Sequence, residues 1–380
     1  MKPVIALVLL ASAVQFGFNP MGLGPEPERF LTSDFFETRL ERSDDIELLV
    51  DGVAAFDTIF EAIEGATTRI DVQTYIWRDD ATGNHVASSL REAAARGVEV
   101  RVRKDVLGSV FELGDVLAGR PSPVFTRSGL RGQDNIEVST DPFDDNDHSK
   151  YFVIDESTVI FGGMNIADEY HHQWHDYMVW IRHERFAEAF DARVLEGKAW
   201  PITSPAVLAV NDRQATEIRT AMIEILDRAR ATIVIEHAYF SEGRVLEAVL
   251  RAARRGVAVD VVLPEEPDTH LYANRATINR LLALGEGSAL RVHLYPRMTH
   301  AKVILVDGVV AAVGSANLTP RSLITSKEIT LFLHGAEDVP FIRDLAARLA
   351  SDIAESRRVE TPFRLGLVAR LGAVAGKYTW

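Results

Sequence analysis

Cysteine is absent from this 380-residue sequence, which excludes disulfide bonds and thiolate metal sites. The absence leaves the compartment open, because exported proteins without cysteine are also common. Basic charge is in short supply: 41 Lys+Arg face 55 Asp+Glu, for a net charge of -14. That sign is wrong for a chain that grips nucleic acid over a wide surface, so nucleic acid is disfavoured as a partner. Long apolar runs are missing too. The most hydrophobic stretch, Val4 to Val14, is too short to span a bilayer. It reads either as a signal-peptide core ending at Ala11-Ser12-Ala13 or as a buried N-terminal helix, and residues 1–45 are set apart as a signal, anchor or leader region. What is abundant is apolar side chain, at 47% of residues, enough for a substantial folded core.

An internal repeat organises the rest. LREAAARGVEVRVRKD at 90–105 returns as LRAARRGVAVDVVLPE at 250–265, and ATTRIDVQTYIW at 66–77 is echoed by RATIVIEHAYF at 230–240. Each half is predicted to run helix, strand, a second helix closing at Gly97 or Gly256, then a β-branched strand such as Val98–Val102. Strands alternating with helices predict an α/β fold, each half a mixed β-sheet flanked by helices. Prolines at 201 and 205 interrupt a helical pattern over 184–199 and mark the boundary. The halves are placed at 46–200 and 206–355, followed by a tail at 356–380. The irregular stretch 107–146, rich in Gly, Pro, Ser and Asp, is expected to be a loop or lid.

The chemistry is duplicated with the fold. His148-Ser149-Lys150, Asp155, Gly162-Gly163 and Asn165 match His300-Ala301-Lys302, Asp307, Gly314-Ser315 and Asn317 in type and spacing. A strand bearing His-x-Lys would send imidazole and ammonium to one face. A glycine turn before Asn lets backbone and carboxamide approach a phosphate closely. Two such copies supply two imidazoles, two ammoniums and two amides around one phosphorus, with Lys150 and Lys302 neutralising charge that a metal would otherwise carry. No metal and no cofactor is required by this set. One imidazole attacks phosphorus in neutral form while the other protonates the departing alcohol. Asp176 and Glu328 follow the two histidines at the same spacing and are the candidates to orient their rings, leaving Asp155 and Asp307 to brace the motif strands.

The paired HxKxxxxD and G[GS]xN motifs resemble the phospholipase D superfamily over about Ile46 to Ile353. LLVDG at 48–52, TYIW at 74–77, GGMNIADEY at 162–170 and GSANLTPRSL at 314–323 are similar to its bacterial cardiolipin synthase branch. The resemblance implies one active site between the halves of a single chain, so that a monomer suffices. It also implies His148 as nucleophile forming a phosphohistidine, His300 as acid, and a phosphatidyl group passed to a lipid hydroxyl, with phospholipid and a membrane surface as partners. A membrane-associated, bacterial-type envelope location follows from the same likeness. Hydrolysis to phosphatidic acid, a nuclease-like phosphodiesterase and an inactive membrane-associated interaction protein are the alternatives. Common cardiolipin synthases differ in having two N-terminal membrane helices and other residues at Ser149, Thr319 and Ser326, which leaves the acceptor open.

His171, His172 and His175 read as a solvated polar turn and not as a metal set. Asp144, Asp145 and Asp147 fail as a calcium loop, because Lys150 stands where a glycine is required; they are expected to be a solvated loop or a filter against polyanions. In the tail, Arg357, Arg364, Arg370 and Lys377 recur among Phe363, Leu365, Leu367, Val368, Leu371 and Val374, which suits either an anionic lipid surface or docking on the chain's own fold.

Overall fold

The computed structural model describes residues 23–41, 45–105, 108, 129–141, 146–201 and 204–376. Residues 49–199 make one compact unit, and residues 23–48 with those from 200 onward make a second. The leading segment 23–48 therefore belongs with the second unit. Its short helix α1 (Ser33–Glu37), N-capped by Thr32, buries Phe35 in that unit's core with Phe30 and Leu31.

The first sheet is built from β1 (Ile46–Val50), β2 (Arg69–Thr74), β3 (Glu99–Asp105), β4 (Ile136–Asp141), β5 (Tyr151–Ile154), β6 (Thr158–Gly162) and β7 (Tyr177–Arg182). Its order is β1-β7-β6-β5-β2-β3-β4, with β2, β3 and β4 parallel and the β2-β5-β6-β7 run antiparallel. The helices are α2 (Asp51–Gly65), α3 (Ala81–Ala95), α4 (Asp168–His172) and α5 (Glu184–Phe190). In α3 the Asp80 side chain accepts the Gly83 N–H at 2.9 Å, satisfying a donor that the first turn leaves open. Val86, Leu90, Ala93 and Ala94 form its buried stripe. Truncating fully buried Leu90 to Ala would cost about 2–5 kcal/mol.

The second sheet repeats this plan with β8 (Ala206–Asn211), β9 (Thr232–His237), β10 (Ala258–Pro264), β11 (Leu290–Tyr295), β12 (Lys302–Val306), β13 (Val310–Gly314) and β14 (Glu328–His334), plus a two-residue β15 (Arg357–Arg358). Its order is β15-β11-β10-β9-β12-β13-β14-β8. The helices are α6 (Ile218–Arg228), α7 (Gly243–Arg254), α8 (Leu271–Leu284), α9 (Pro320–Ile324), α10 (Pro340–Glu355) and α11 (Leu367–Gly376). Glu242 caps α7 by accepting the Val245 N–H at 2.7 Å. Beyond α3 and α7 the chain turns at Gly97 (φ 99°) and Gly256 (φ 92°), backbone that a side chain would strain. The α/β reading of two mixed sheets with flanking helices holds in both units.

Two expectations need correction. Residues 136–141, assigned to an irregular loop, form β4, because Ile136 and Val138 alternate and the segment pairs with β3 in parallel register. The helix expected to reach 199 stops at Phe190 and continues only as a π-helical turn, Asp191–Leu195, where Arg69 Nη2 donates to Asp191 Oδ2 at 2.5 Å. Residues 109–128 and 142–145 lie outside the described residues, as does the apolar run 4–14.

In the tail, α11 is docked and exposed at once. Gly372 and Gly376 face α8 so closely that an added Cβ would stand 2.9 Å from Tyr272 and 3.3 Å from Ala273. These two glycines, having no Cβ, allow that approach. Leu367, Val368, Leu371 and Val374 remain 59–79% exposed. Lys377 lies outside the described residues. No described helix is long and apolar enough to cross a membrane.

Candidate active site

The motif residues collect where the parallel strands β2 and β9 end and the antiparallel strands β5 and β12 begin. Such carboxyl ends of strands are the usual ligand edge of an α/β sheet. The His-x-Lys stretches were expected inside strands, but β5 starts at Tyr151 and β12 at Lys302, so both histidines sit just outside the ladder. Some backbone pairing continues there, as in the Ala238 N–H donated to the Ala301 carbonyl at 2.9 Å, and side-chain hydrogen bonds add to the hold.

In the first unit Asp147 does this holding: its Oδ1 accepts the Ser149 N–H at 3.0 Å and the Ser149 hydroxyl at 2.5 Å. Asp147 N donates in turn to Asp105 Oδ2 at 2.7 Å. Buried Lys150 donates to the His148 carbonyl, and its ammonium lies 5.4 Å from the Tyr75 ring centre. Tyr75 meets the half-buried His148 edge-on at 4.8 Å between ring centres. Asn165 turns its carboxamide oxygen inward, accepting from Ile76 N at 2.9 Å and Thr74 Oγ1 at 3.4 Å. Asp176 is buried, its Oδ1 accepts from Tyr177 N at 2.8 Å, and its carboxylate lies against Gly163, where a Cβ would approach Oδ1 to 2.3 Å. Gly163 is thus required for that carboxylate to sit where it does.

In the second unit Lys302 Nζ lies 2.8 Å from His300 Nδ1 and donates to the His300 carbonyl at 2.5 Å. Thr299 occupies the place of Asp147: its hydroxyl accepts the Ala301 N–H at 3.4 Å and donates to buried Glu236 at 2.6 Å. Glu328 is buried and accepts from both Ser315 Oγ, at 2.5 Å, and Ser322 Oγ. Ser322 Oγ also accepts the Asn317 N–H at 2.8 Å, tying the carboxylate to the motif asparagine. Thr319 N-caps α9 by accepting the Ser322 N–H at 3.2 Å, a task Asp would perform equally well. Tyr239 stands edge-on to His300 at 6.3 Å and donates to Asp268, whose carboxyl burial pushes above its ordinary range.

Asp155 and Asp307 are placed away from this cluster. Both adopt left-handed backbone, φ 51° and 52°, and both collect N–H groups leading into β2 or β9: Asp155 from Thr67, Thr68 and Arg69, Asp307 from Arg230, Ala231 and Thr232.

Sequence reasoning passed over several residues. Tyr75 and Tyr239 lie inside the repeated TYIW and AYF segments, and that repetition is their sequence signal. His237 ends β9 where Thr74 ends β2, and Lys104 stands near the end of β3 where β10 carries Leu263, so neither repeats in the other half. The expectation of a solvated histidine turn fails for His175, which is fully buried with Nδ1 2.5 Å from Asp51 Oδ1 and Nε2 3.0 Å from Tyr177 Oη. His171 also packs inward, Nδ1 at 2.9 Å from Thr82 Oγ1, and burial with neighbouring His172 lowers its pKa. Of the acidic run only Asp147 is among the described residues.

The sequence profile of the family described as "Cardiolipin synthase, PLD-like domain" matches residues 59–196 and 222–353, once in each unit. A cardiolipin synthase A of Pseudomonas fluorescens is 31% identical over 370 residues, covering 87% of this chain and 74% of the relative. A cardiolipin synthase of Listeria monocytogenes is 29% identical over 339 residues, covering 80% and 68%. Among solved structures, a phosphatidylserine synthase of Haemophilus influenzae is similar across 97% of this chain and 96% of its own, with a TM-score of 0.63 at 16% identity. A polyphosphate kinase of Porphyromonas gingivalis is similar over 93% of this chain and 55% of its own, with a TM-score of 0.58. At such identities the structural likenesses establish the fold.

Proposed function

This chain belongs to the phospholipase D superfamily, in its cardiolipin synthase-like family, and we propose that it moves a phosphatidyl group between alcohols through a phosphohistidine. The observation that carries this reading is the doubled cluster of His, Lys and Asn, each copy at a strand-end edge with its own buried downstream carboxylate. Neutral His148 attacks phosphorus through a ring nitrogen. The P–O bond to the departing alcohol breaks, and His300 gives that alkoxide its proton. Neutral His300 then takes the proton of an incoming hydroxyl, whose oxygen forms a new P–O bond as the P–N bond breaks. Lys150 and Lys302 offset charge on the phosphoryl oxygens, the Asn165 and Asn317 amides donate to them, and Asp176 and Glu328 orient the imidazoles. Both motifs lie in one chain, so a monomer supplies the full set.

The acceptor decides between transfer and hydrolysis. A lipid hydroxyl yields cardiolipin from phosphatidylglycerol, and water yields phosphatidic acid. The assay is incubation with phosphatidylglycerol, phosphatidylcholine or single-stranded DNA, with and without chelator, followed by product identification. Cardiolipin is the expected product. Shortened DNA or no product with any lipid would sink the reading, and loss of activity on chelation would sink its metal-independent form.

The tail supports a membrane surface as partner and an envelope location. Exposed Leu367, Val368, Leu371 and Val374 adjoin exposed Arg364 and Arg370 on a chain otherwise acidic, a pairing suited to anionic lipid. Leu367→Ser with Leu371→Ser should lower binding to phosphatidylglycerol vesicles several-fold; unchanged co-sedimentation would assign that face elsewhere.

A further inference from the structure

At the end of β9 the second unit carries an imidazole, His237, where the first carries the hydroxyl of Thr74. His237 is fully buried, and neither of its ring nitrogens has a hydrogen-bond partner. It pairs with Lys302 across β9 and β12, so the two side chains leave the same face of the sheet. One step beyond the Val303–Val313 pair, Gly314 continues this row and pairs with Thr330 of β14. Glycine adds no side chain there; a Cβ would stand 2.8 Å from Thr330 Oγ1. The Thr330 hydroxyl is itself buried without a partner, and so is Asn317 Oδ1. In the first unit the corresponding Asn165 oxygen is fully engaged by Ile76 and Thr74.

Unpartnered buried polar atoms are uncommon and cost about 1–3 kcal/mol each, so two residues of this kind in the row of one motif lysine, together with the motif asparagine's oxygen, point to a ligand. Their chemistry narrows which. Phosphoryl oxygens only accept hydrogen bonds. Burial and the Lys302 ammonium hold the His237 pKa well below the usual imidazole range, leaving the ring neutral with one N–H and one lone pair in either tautomer. That lone pair and the Asn317 oxygen require a donor, which a phosphoryl oxygen cannot provide and a hydroxyl can. We propose that His237, Thr330 and the Asn317 carboxamide oxygen form a subsite for the hydroxyl-bearing part of the acceptor, a glycerol-like alcohol. The inference rests on the phosphatidyl-transfer reading and assigns His237 to binding and specificity, with no proton transfer of its own.

The test separates the two half-reactions. With phosphatidylglycerol labelled in phosphorus, phosphoenzyme formation is followed in a single turnover; incorporation of carbon-labelled glycerol into lipid and release of phosphatidic acid are then measured against glycerol concentration. His237→Thr, which installs the first unit's residue, and Thr330→Val should each raise the glycerol needed for half-maximal transfer by about tenfold and shift product toward phosphatidic acid. Any change in phosphoenzyme formation should stay smaller than that shift. The thermal unfolding of each variant is checked, and if His237→Thr does not fold, Thr330→Val decides. An unchanged glycerol dependence, or formation and transfer falling in equal proportion, overturns the subsite. Absence of any phosphoenzyme in the unaltered protein would instead overturn the transfer reading and take the subsite with it.

Discussion

In the first unit the Asp176 carboxylate lies against the bare α-carbon of Gly163, whereas in the second the longer Glu328 is held by hydroxyls from Ser315 and Ser322. The row of strand-end residues differs as well. Register pairs Thr74 with Lys104 in the first sheet, Lys150 standing just before β5, and pairs His237 with Lys302 in the second, Leu263 standing one residue past the Val262–Glu236 pair. The same motif is thus embedded in two chemistries: two buried ammoniums on one side, and one ammonium with a neutral imidazole on the other. The proposed roles divide along this difference: His148 attacks on the side with two buried ammoniums, and His300 moves the proton on the side with the imidazole.

The sharpest way to break this asymmetry is to remove each histidine. His148→Ala and His300→Ala should each lower turnover by about a thousandfold or more. Acid-labile phosphate, trapped by denaturing quench, should appear on His148 alone. Label on His300 would reverse the proposed roles.

Exchanging the glycine and serine behind the carboxylates probes the next layer. Gly163→Ser puts a Cβ 2.3 Å from Asp176 Oδ1 in a buried setting, so the carboxylate must move, and kcat should fall by about tenfold or more. Ser315→Gly removes one of two hydroxyl donors to Glu328 and should cost about 1 kcal/mol of stability with a smaller loss of kcat. Equal effects from both changes would mean that the two carboxylates are supported alike.

Much of this could be read in the sequence, and the reasons differ by residue. The repeat made the α/β plan and the paired motif legible because both copies keep the same residue types at the same spacing. β4 was not legible, since its partner β3 lies outside the segment and its surroundings are rich in loop-forming residues. His237 escaped notice because it departs from its counterpart Thr74, and repeats advertise agreement. His175 was misread because burial is a tertiary property: Asp51 and Tyr177, which surround it, carry no local signature.

The smallest effect expected concerns the two aspartates beneath the motifs. Asp155 accepts from three backbone N–H groups and from the hydroxyls of Thr67 and Thr68, whereas Asp307 accepts from backbone N–H groups alone. Partial burial pushes the Asp155 pKa up, but the Thr68 backbone and hydroxyl bonds, with those from Arg69 and Thr67, outweigh it and leave the pKa lowered. A carboxyl lowered on folding contributes stability that is full above its unfolded value, near about 3.9, and is lost as pH falls through the folded one. Asp155→Asn, which tolerates the left-handed backbone, should therefore destabilise by about 1 kcal/mol at pH 7, discounted for exposure. The deficit should shrink on acidification below about pH 4, as the unaltered side chain itself protonates. Urea unfolding at pH 7 and pH 3 checks both points. A deficit that persists undiminished at pH 3 would show that Asp155 acts through backbone conformation alone, and a larger loss from Asp307→Asn at pH 7 would invert the ranking of the two units.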